Sequence, residues 1–169
     1  GGQNLIGPEL WEGLGVIRTG ELEAARALDG GRQFFTRAFD FGFSKSAEEA
    51  LTLWPTEELL DDVVWVVRTF RPHVLVSVFS GTPRDGHGQH QAAGIMAREV
   101  FEAAGDPTRF PEHFGRGVEA WTPAKLYQSA RRRFGGATPT DAPSVVVETG
   151  AYDPLIGRSH FQLSMESRS

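Results

Sequence analysis

Apolar residues in the first third of the chain recur at helical spacing. Leu10, Leu14, Ile17, Leu22, Ala25 and Leu28 approximate one face of a helix over 8–28, with Pro8 in its first turn and Asp29-Gly30-Gly31 as its stop. Residues 32–39 alternate weakly and are aromatic enough to predict a strand. Phe41-Gly42-Phe43-Ser44 reads as a loop, and Ser46-Ala47-Glu48-Glu49 as a capping box that opens a short helix. Thr56-Glu57-Glu58 opens the next helix with an acidic first turn, and Leu59, Leu60, Val63, Val64 and Val67 form its stripe up to Arg71-Pro72. The run 73–79 is apolar without alternation, which predicts a strand covered on both faces of a parallel sheet.

A glycine-rich loop over 80–88 follows, then a helix over about 89–104 that ends at Gly105-Asp106-Pro107. Residues 125–131 predict a strand, 134–143 a Gly/Pro/Thr loop, 144–148 a short Val-rich strand, and Gly157 onward a final helix. The central order helix, strand, loop, helix is an α/β layered pattern. No repeat or linker divides the chain, so the expectation is a single domain over 1–169.

Composition adjusts this picture only at its edges. The chain has 169 residues, 40% hydrophobic and 23% charged, which suits one globular domain. A net charge of −5 argues against a nucleic-acid binder, and the basic run Arg131-Arg132-Arg133 reads as a solvated strand end or loop. The absence of cysteine excludes disulfides, thiolate metal sites and cysteine nucleophiles. No apolar run approaches the roughly 20 residues of a membrane span. The ratio of 15 Arg to 2 Lys points to a GC-rich bacterial genome. The chain opens on Gly1-Gly2-Gln3-Asn4 without methionine and stops at Glu166-Ser167-Arg168-Ser169, so both ends read as cut and the compartment stays open.

Chemistry concentrates after the strand at 73–79. Ligands of open α/β sheets bind beyond the carboxyl ends of the strands, and that loop carries Asp85, His87 and His90 within six residues. His-x-x-His on one turn suits zinc, and it equally suits a polar loop. No phosphate loop and no Gly-x-Ser-x-Gly elbow is present. His73, His113 and His160 read as structural.

Several separated segments, in order, resemble those of the PIG-L (LmbE-like) family of zinc-dependent de-N-acetylases. Gly1-Gly2-Gln3-Asn4 resembles the end of its glycine-rich segment, and Arg18-Thr19-Gly20-Glu21-Leu22 its Arg-x-x-Glu-Leu helix. Phe39-Asp40-Phe41-Gly42 is similar to its aspartate-bearing loop, and Arg71-Pro72-His73-Val74 to its Arg-Pro-Asp-Val segment. His87-Gly88-Gln89-His90 resembles its His-Pro-Asp-His metal motif, and Trp121 through Tyr127 its Pro-Trp…Lys-Leu-Tyr strand.

The resemblance implies a Rossmann-like layered fold with a mostly parallel sheet, here lacking its first strand. It implies hydrolysis of the N-acetyl group of an N-acetylglucosamine-type sugar or glycoconjugate, with zinc as cofactor. By the same match His90 is the zinc ligand, His87 the neighbouring histidine that stabilises the transition state, and Arg18 and Asp40 the substrate contacts. Read from the residues alone, Arg18 is equally a surface or helix-packing residue, and Asp40 equally a turn cap.

Two departures bear on this. Gln89 stands where the family has aspartate. No His-Pro-Asp-Asp, which supplies two further zinc ligands and the general base, occurs in the 169 residues. The expectation is therefore that these residues alone are inactive and hold zinc weakly, and that losing a first strand lowers solubility or stability. The alternative is a non-catalytic carbohydrate-binding module of the same fold, with Arg18, Asp40, Trp121 and Tyr127 lining a sugar groove.

Overall fold

A computed structural model describes residues 7–130 and 143–167. The expectations at Gly1-Gly2-Gln3-Asn4, at Arg131-Arg132-Arg133, over 134–142 and at the last two residues lie outside them. The chain divides into two compact units, one of Phe35–Thr140 and one of Gly1–Phe34 with Asp141–Ser169.

In the second of these units, helix α1 (Trp11–Asp29) ends as expected. Gly30 takes the left-handed conformation (φ 72) and its N–H closes on the carbonyl of Arg26. Of the anticipated apolar face, Leu14 is buried and Ala25 half-buried, while Leu10, Ile17, Leu22 and Leu28 are exposed.

The segment 32–39 is not a strand. Among the described residues nothing pairs with its backbone as a ladder. Instead the N–H and guanidinium of Arg37 clamp the Asp62 carboxylate at 2.6–3.0 Å. Phe39 and Trp54 pack edge-on against Phe41, and the Trp54 indole donates to the Phe39 carbonyl at 2.8 Å.

Helix α2 (Ala47–Leu53) is capped by Ser46, whose hydroxyl accepts from the Glu49 N–H at 3.2 Å. The Glu49 carboxylate turns back further than a capping box requires. It accepts from the Lys45 N–H at 2.9 Å and the Ser44 hydroxyl at 3.1 Å, and these two bonds hold its pKa below the usual range.

Helix α3 (Thr56–Phe70) buries Leu59, Leu60, Val64 and Val67 against Met96, Val100, Ala103 and Ala104. Each of the leucines and valines contributes about 1.5–3 kcal/mol on burial. Its cap position is Pro55, and Thr56 instead donates its hydroxyl to the Leu51 carbonyl at 3.1 Å.

Strand β1 (Val74–Ser77) follows. Then come a 3-10 turn (Pro83–Asp85), helix α4 (Gly88–Ala103), a second 3-10 segment (Pro111–Arg116) and strand β2 (Lys125–Gln128). The strands pair in parallel from Val74↔Lys125 to Ser77↔Gln128. Leu75 packs on the core, whereas Val74, Val76 and Val78 are 46%, 66% and 60% exposed. The expected strand covered on both faces is thus covered on one, so its apolar run does not report a second layer among the described residues.

The β1–α4–β2 arrangement is α/β. Among the described residues this sheet has two strands, which do not amount to the wider sheet of a Rossmann-like fold.

The valines at 145–147 are exposed and form no strand. Past them, β3 (Tyr152–Asp153) and β4 (Arg158–Ser159) pair antiparallel, and α5 (His160–Glu166) begins on a capping box of Ser159 and Gln162. Within this unit α5 touches α1.

Candidate functional site

The loop at the carboxyl end of β1 is shaped by two close approaches. A Cβ on Gly94 would lie 2.1 Å from the backbone nitrogen of Gly81, so α4 meets the loop through bare backbone. A Cβ on Gly88 would lie 2.0 Å from the Ser46 carbonyl oxygen, and the Gly88 N–H donates to the Ser44 carbonyl at 2.8 Å. A proline, which stands here in the resembled motif, would lose that bond and clash.

Asp85 organises the loop. Its two oxygens accept from the N–H groups of Ser80 (3.0 Å), Gly81 (2.7 Å) and Thr82 (3.1 Å) and from the Ser80 hydroxyl (2.9 Å). Partial burial works against the charged form, but these donors outweigh it and hold the carboxyl below the usual range. Asp85 is thus engaged with its own loop and is not placed as a metal ligand.

His87 is the N-cap residue of α4 and His90 lies in its first turn, both half-buried. Their rings lie against each other with centroids 3.7 Å apart. Phe79 stacks on His90 at 4.0 Å and 14°, and Phe43 meets His87 edge-on at 5.7 Å. His90 Nδ1 lies 3.2 Å from the Asp85 carbonyl oxygen. A carbonyl only accepts, so the neutral ring carries its proton on Nδ1 and a lone pair on Nε2. That polarity fits a histidine that ligates zinc through Nε2 and is oriented by a carbonyl on its other nitrogen. Phe79 was not singled out as functional in the sequence, and Gln89 stood out there only as a departure from the resembled motif; its amide oxygen lies 3.0 Å from His87 Nδ1. Their contacts arise only when β1, α4 and the 39–43 loop come together.

Asp40 belongs to the same unit. It is exposed, and its carboxylate accepts from the Gly42 N–H at 2.8 Å, the turn cap anticipated as its structural role. Arg18 belongs to the other unit, on an exposed face of α1, with its guanidinium 2.6 Å from Glu21.

A second cluster lies at the far end of α4. Asp61, Glu112 and His113 bring one ligand atom each within 4.8 Å of one another, the only such group of three among the described residues. His113, expected to be structural, is buried there. Its Nδ1 lies 3.1 Å from Arg68 Nη1, and its Nε2 lies 2.5 Å from Asp61 Oδ1.

Arginine only donates, so Nδ1 accepts and the ring proton sits on Nε2, shared with Asp61. A metal would need a lone pair where this triad holds a proton. The cluster therefore fits a buried hydrogen-bond network around Arg68 better than a metal centre. Burial pushes the Arg68 pKa down, while Glu112, Asp106 and Asp61 favour its charge.

No protein-family model matches the chain. A curated relative, the 1D-myo-inositol 2-acetamido-2-deoxy-alpha-D-glucopyranoside deacetylase 2 of Frankia alni, is 37% identical over 84 residues. That stretch is 48% of this chain and 27% of the relative, so the match spans about a quarter of the relative's length. The likeness supports, at a general level, a hydrolase of deacetylase type. Among the described residues no helix is long and apolar enough to cross a membrane.

Proposed function

We propose that this chain carries the two-histidine part of a zinc-dependent hydrolase that removes the N-acetyl group from an N-acetylglucosamine-type sugar or glycoconjugate. The observation that carries the reading is the ring-on-ring placement of His87 and His90 where the carboxyl end of β1 meets the start of α4. The likeness to a deacetylase of an acetamido sugar supports the substrate class.

In this reading His90 is the zinc ligand through Nε2, one of the three protein ligands that a catalytic zinc site uses. When bound, zinc supplies a water acidified to about pKa 7 and polarises the acetyl carbonyl. The chain's own residues orient and exclude. Phe79 covers one face of His90, and the Asp85 carbonyl fixes its ring. His87 stabilises the charge that develops on the acetyl oxygen. Asp40 accepts hydrogen bonds from sugar hydroxyls, and Arg18 pairs with an anionic group of the substrate.

One observation favours the carbohydrate-binding module instead: a neutral amide, Gln89, stands beside His90 where the resembled metal motif has a carboxylate. The deciding experiment incubates the natural gene product with zinc and N-acetylglucosamine conjugates and measures released amine and acetate, with His90→Ala alongside. Release that depends on His90 supports the hydrolase. Equal release by the variant removes His90 from the mechanism, and saturable sugar binding without release supports the module.

A further inference from the structure

Three hydrogen bonds run head to tail from His87 into the 39–43 loop. His87 Nδ1 lies 3.0 Å from Gln89 Oε1, Gln89 Nε2 donates to the Gly42 carbonyl, and the Gly42 N–H donates to Asp40 Oδ1 at 2.8 Å. Their polarity follows from the end that allows no choice. The Gly42 oxygen only accepts, so the Gln89 amide must turn its NH2 toward it. That leaves the amide oxygen facing His87, and this oxygen also only accepts. Nδ1 of His87 therefore carries the proton, and in the neutral ring the lone pair is on Nε2. The first two bonds share the Gln89 amide and polarise one another, while the third, from the separate peptide N–H of Gly42 to Asp40, holds the turn that presents the Gly42 carbonyl.

The turn that makes this possible is specific. Gly42 has φ 89, a conformation strained for any residue with a Cβ, and it offers its N–H to Asp40 while its carbonyl faces Gln89. The Gly88 N–H on the Ser44 carbonyl (2.8 Å) and the Phe43 edge on His87 hold the same loop against the start of α4. Nothing in His87-Gly88-Gln89 announces a contact with a residue 47 positions away.

We propose that Gln89 is the positioning residue of this site: it locks His87 in the Nδ1–H tautomer and makes Nε2 the ring's lone-pair atom, with the Asp40 turn anchoring the relay. The lock is a property of the protein alone. Its use rests on the hydrolase reading, in which Nε2 of His87, once it takes up a proton, donates to the acetyl oxygen that gains charge, while Gln89 keeps Nδ1–H in place.

The test is nitrogen-15 imidazole NMR on the metal-free 169-residue chain, at a pH where the ring is neutral. The wild type is expected to show a protonated Nδ1 and a bare Nε2 at His87. Gln89→Ala is expected to lose the single-tautomer signature. Gln89→Glu, which keeps an acceptor oxygen but cannot donate to Gly42, is expected to retain Nδ1–H. A wild-type ring protonated on Nε2, or a Gln89→Ala ring identical to wild type, overturns the proposal. If Gln89→Ala fails to fold, the wild-type and Gln89→Glu spectra decide.

In the deacetylase assay on the natural gene product, Gln89→Ala is expected to lower kcat by about 10- to 100-fold with KM little changed, and Gln89→Glu to recover most of it. An unchanged kcat overturns the positioning role. Absence of turnover in every form, with the tautomer result intact, defeats the hydrolase reading and leaves the lock standing.

Discussion

Replacing Arg68 with methionine removes a buried cation while nearly conserving side-chain volume. Arg68 is 1% exposed, and its guanidinium donates to the carbonyls of Ala103 (3.3 Å), Ala104 (3.1 Å), Asp106 (2.8 Å), Arg109 (2.9 Å) and Phe110 (3.1 Å), and to His113 Nδ1 (3.1 Å). Two of these acceptors are the carbonyls of Ala103, the last residue of α4, and of Ala104, its C-cap, where the helix dipole concentrates negative charge. At about 1.5–3 kcal/mol for each bond to a charged group, six would sum to more than the roughly 5–15 kcal/mol that stabilises a whole domain. The bonds are therefore not additive, and burying the cation itself costs desolvation.

The comparable measured case, breaking a buried charged interaction from one side, costs about 3–5 kcal/mol, and that is the expected loss here. Arg68→Lys, with three donors in place of six bonds and no planar fork, is expected to lose about half as much. Urea unfolding followed by tryptophan fluorescence checks both, since Trp54, Trp65 and Trp121 all lie in this unit. Amide exchange at His113 and Gly117, whose N–H groups close turns beside Arg68, tests locality. A methionine variant within about 1 kcal/mol of wild type at unchanged m would refute the capping account.

Asp85→Asn tests the loop by pH. The folded carboxyl sits below its unfolded value of about 3.9, so its stabilisation is complete above that value and is lost as pH falls through the lower folded one. The variant is expected to unfold about 1–2 kcal/mol more easily at neutral pH, with the gap closing below about pH 4; a gap independent of pH contradicts the assignment. Gly94→Ala drives a Cβ into the Gly81 backbone and is expected to cost about 1–3 kcal/mol and to shift the His90 ring signals, both readable by denaturation and NMR. Zinc titrated into the 169-residue chain is expected to move the ring resonances of His87 and His90 only at high concentration and to leave His113 unmoved. Stoichiometric tight binding at His113 would overturn the reading of its triad.

Helices α3 and α4 were legible because each buries a stripe that recurs at helical spacing and each is bounded by local stop signals. The placement of the histidines after a strand was legible from the apolar run at 73–79, although that strand is covered on one face and not on both. The strands expected at 32–39 and 144–148 failed because a ladder needs a partner, and no local pattern supplies one. The stretch at 32–39 is tied down by Arg37 on Asp62, and the valines at 145–147 are exposed.

By itself the sequence determined which side chains are available: no thiols, a His-x-x-His after an apolar strand, and a glutamine between the two histidines. Only the tertiary structure decided their chemistry. It turned Asp85 into a loop anchor, buried His113 against Arg68 in the opposite tautomer, and brought Gly42 to Gln89. The physical reason is that a tautomer or a free carboxylate is set by whichever donor or acceptor faces it. Those partners come from residues up to 52 positions away, beyond the reach of any local pattern.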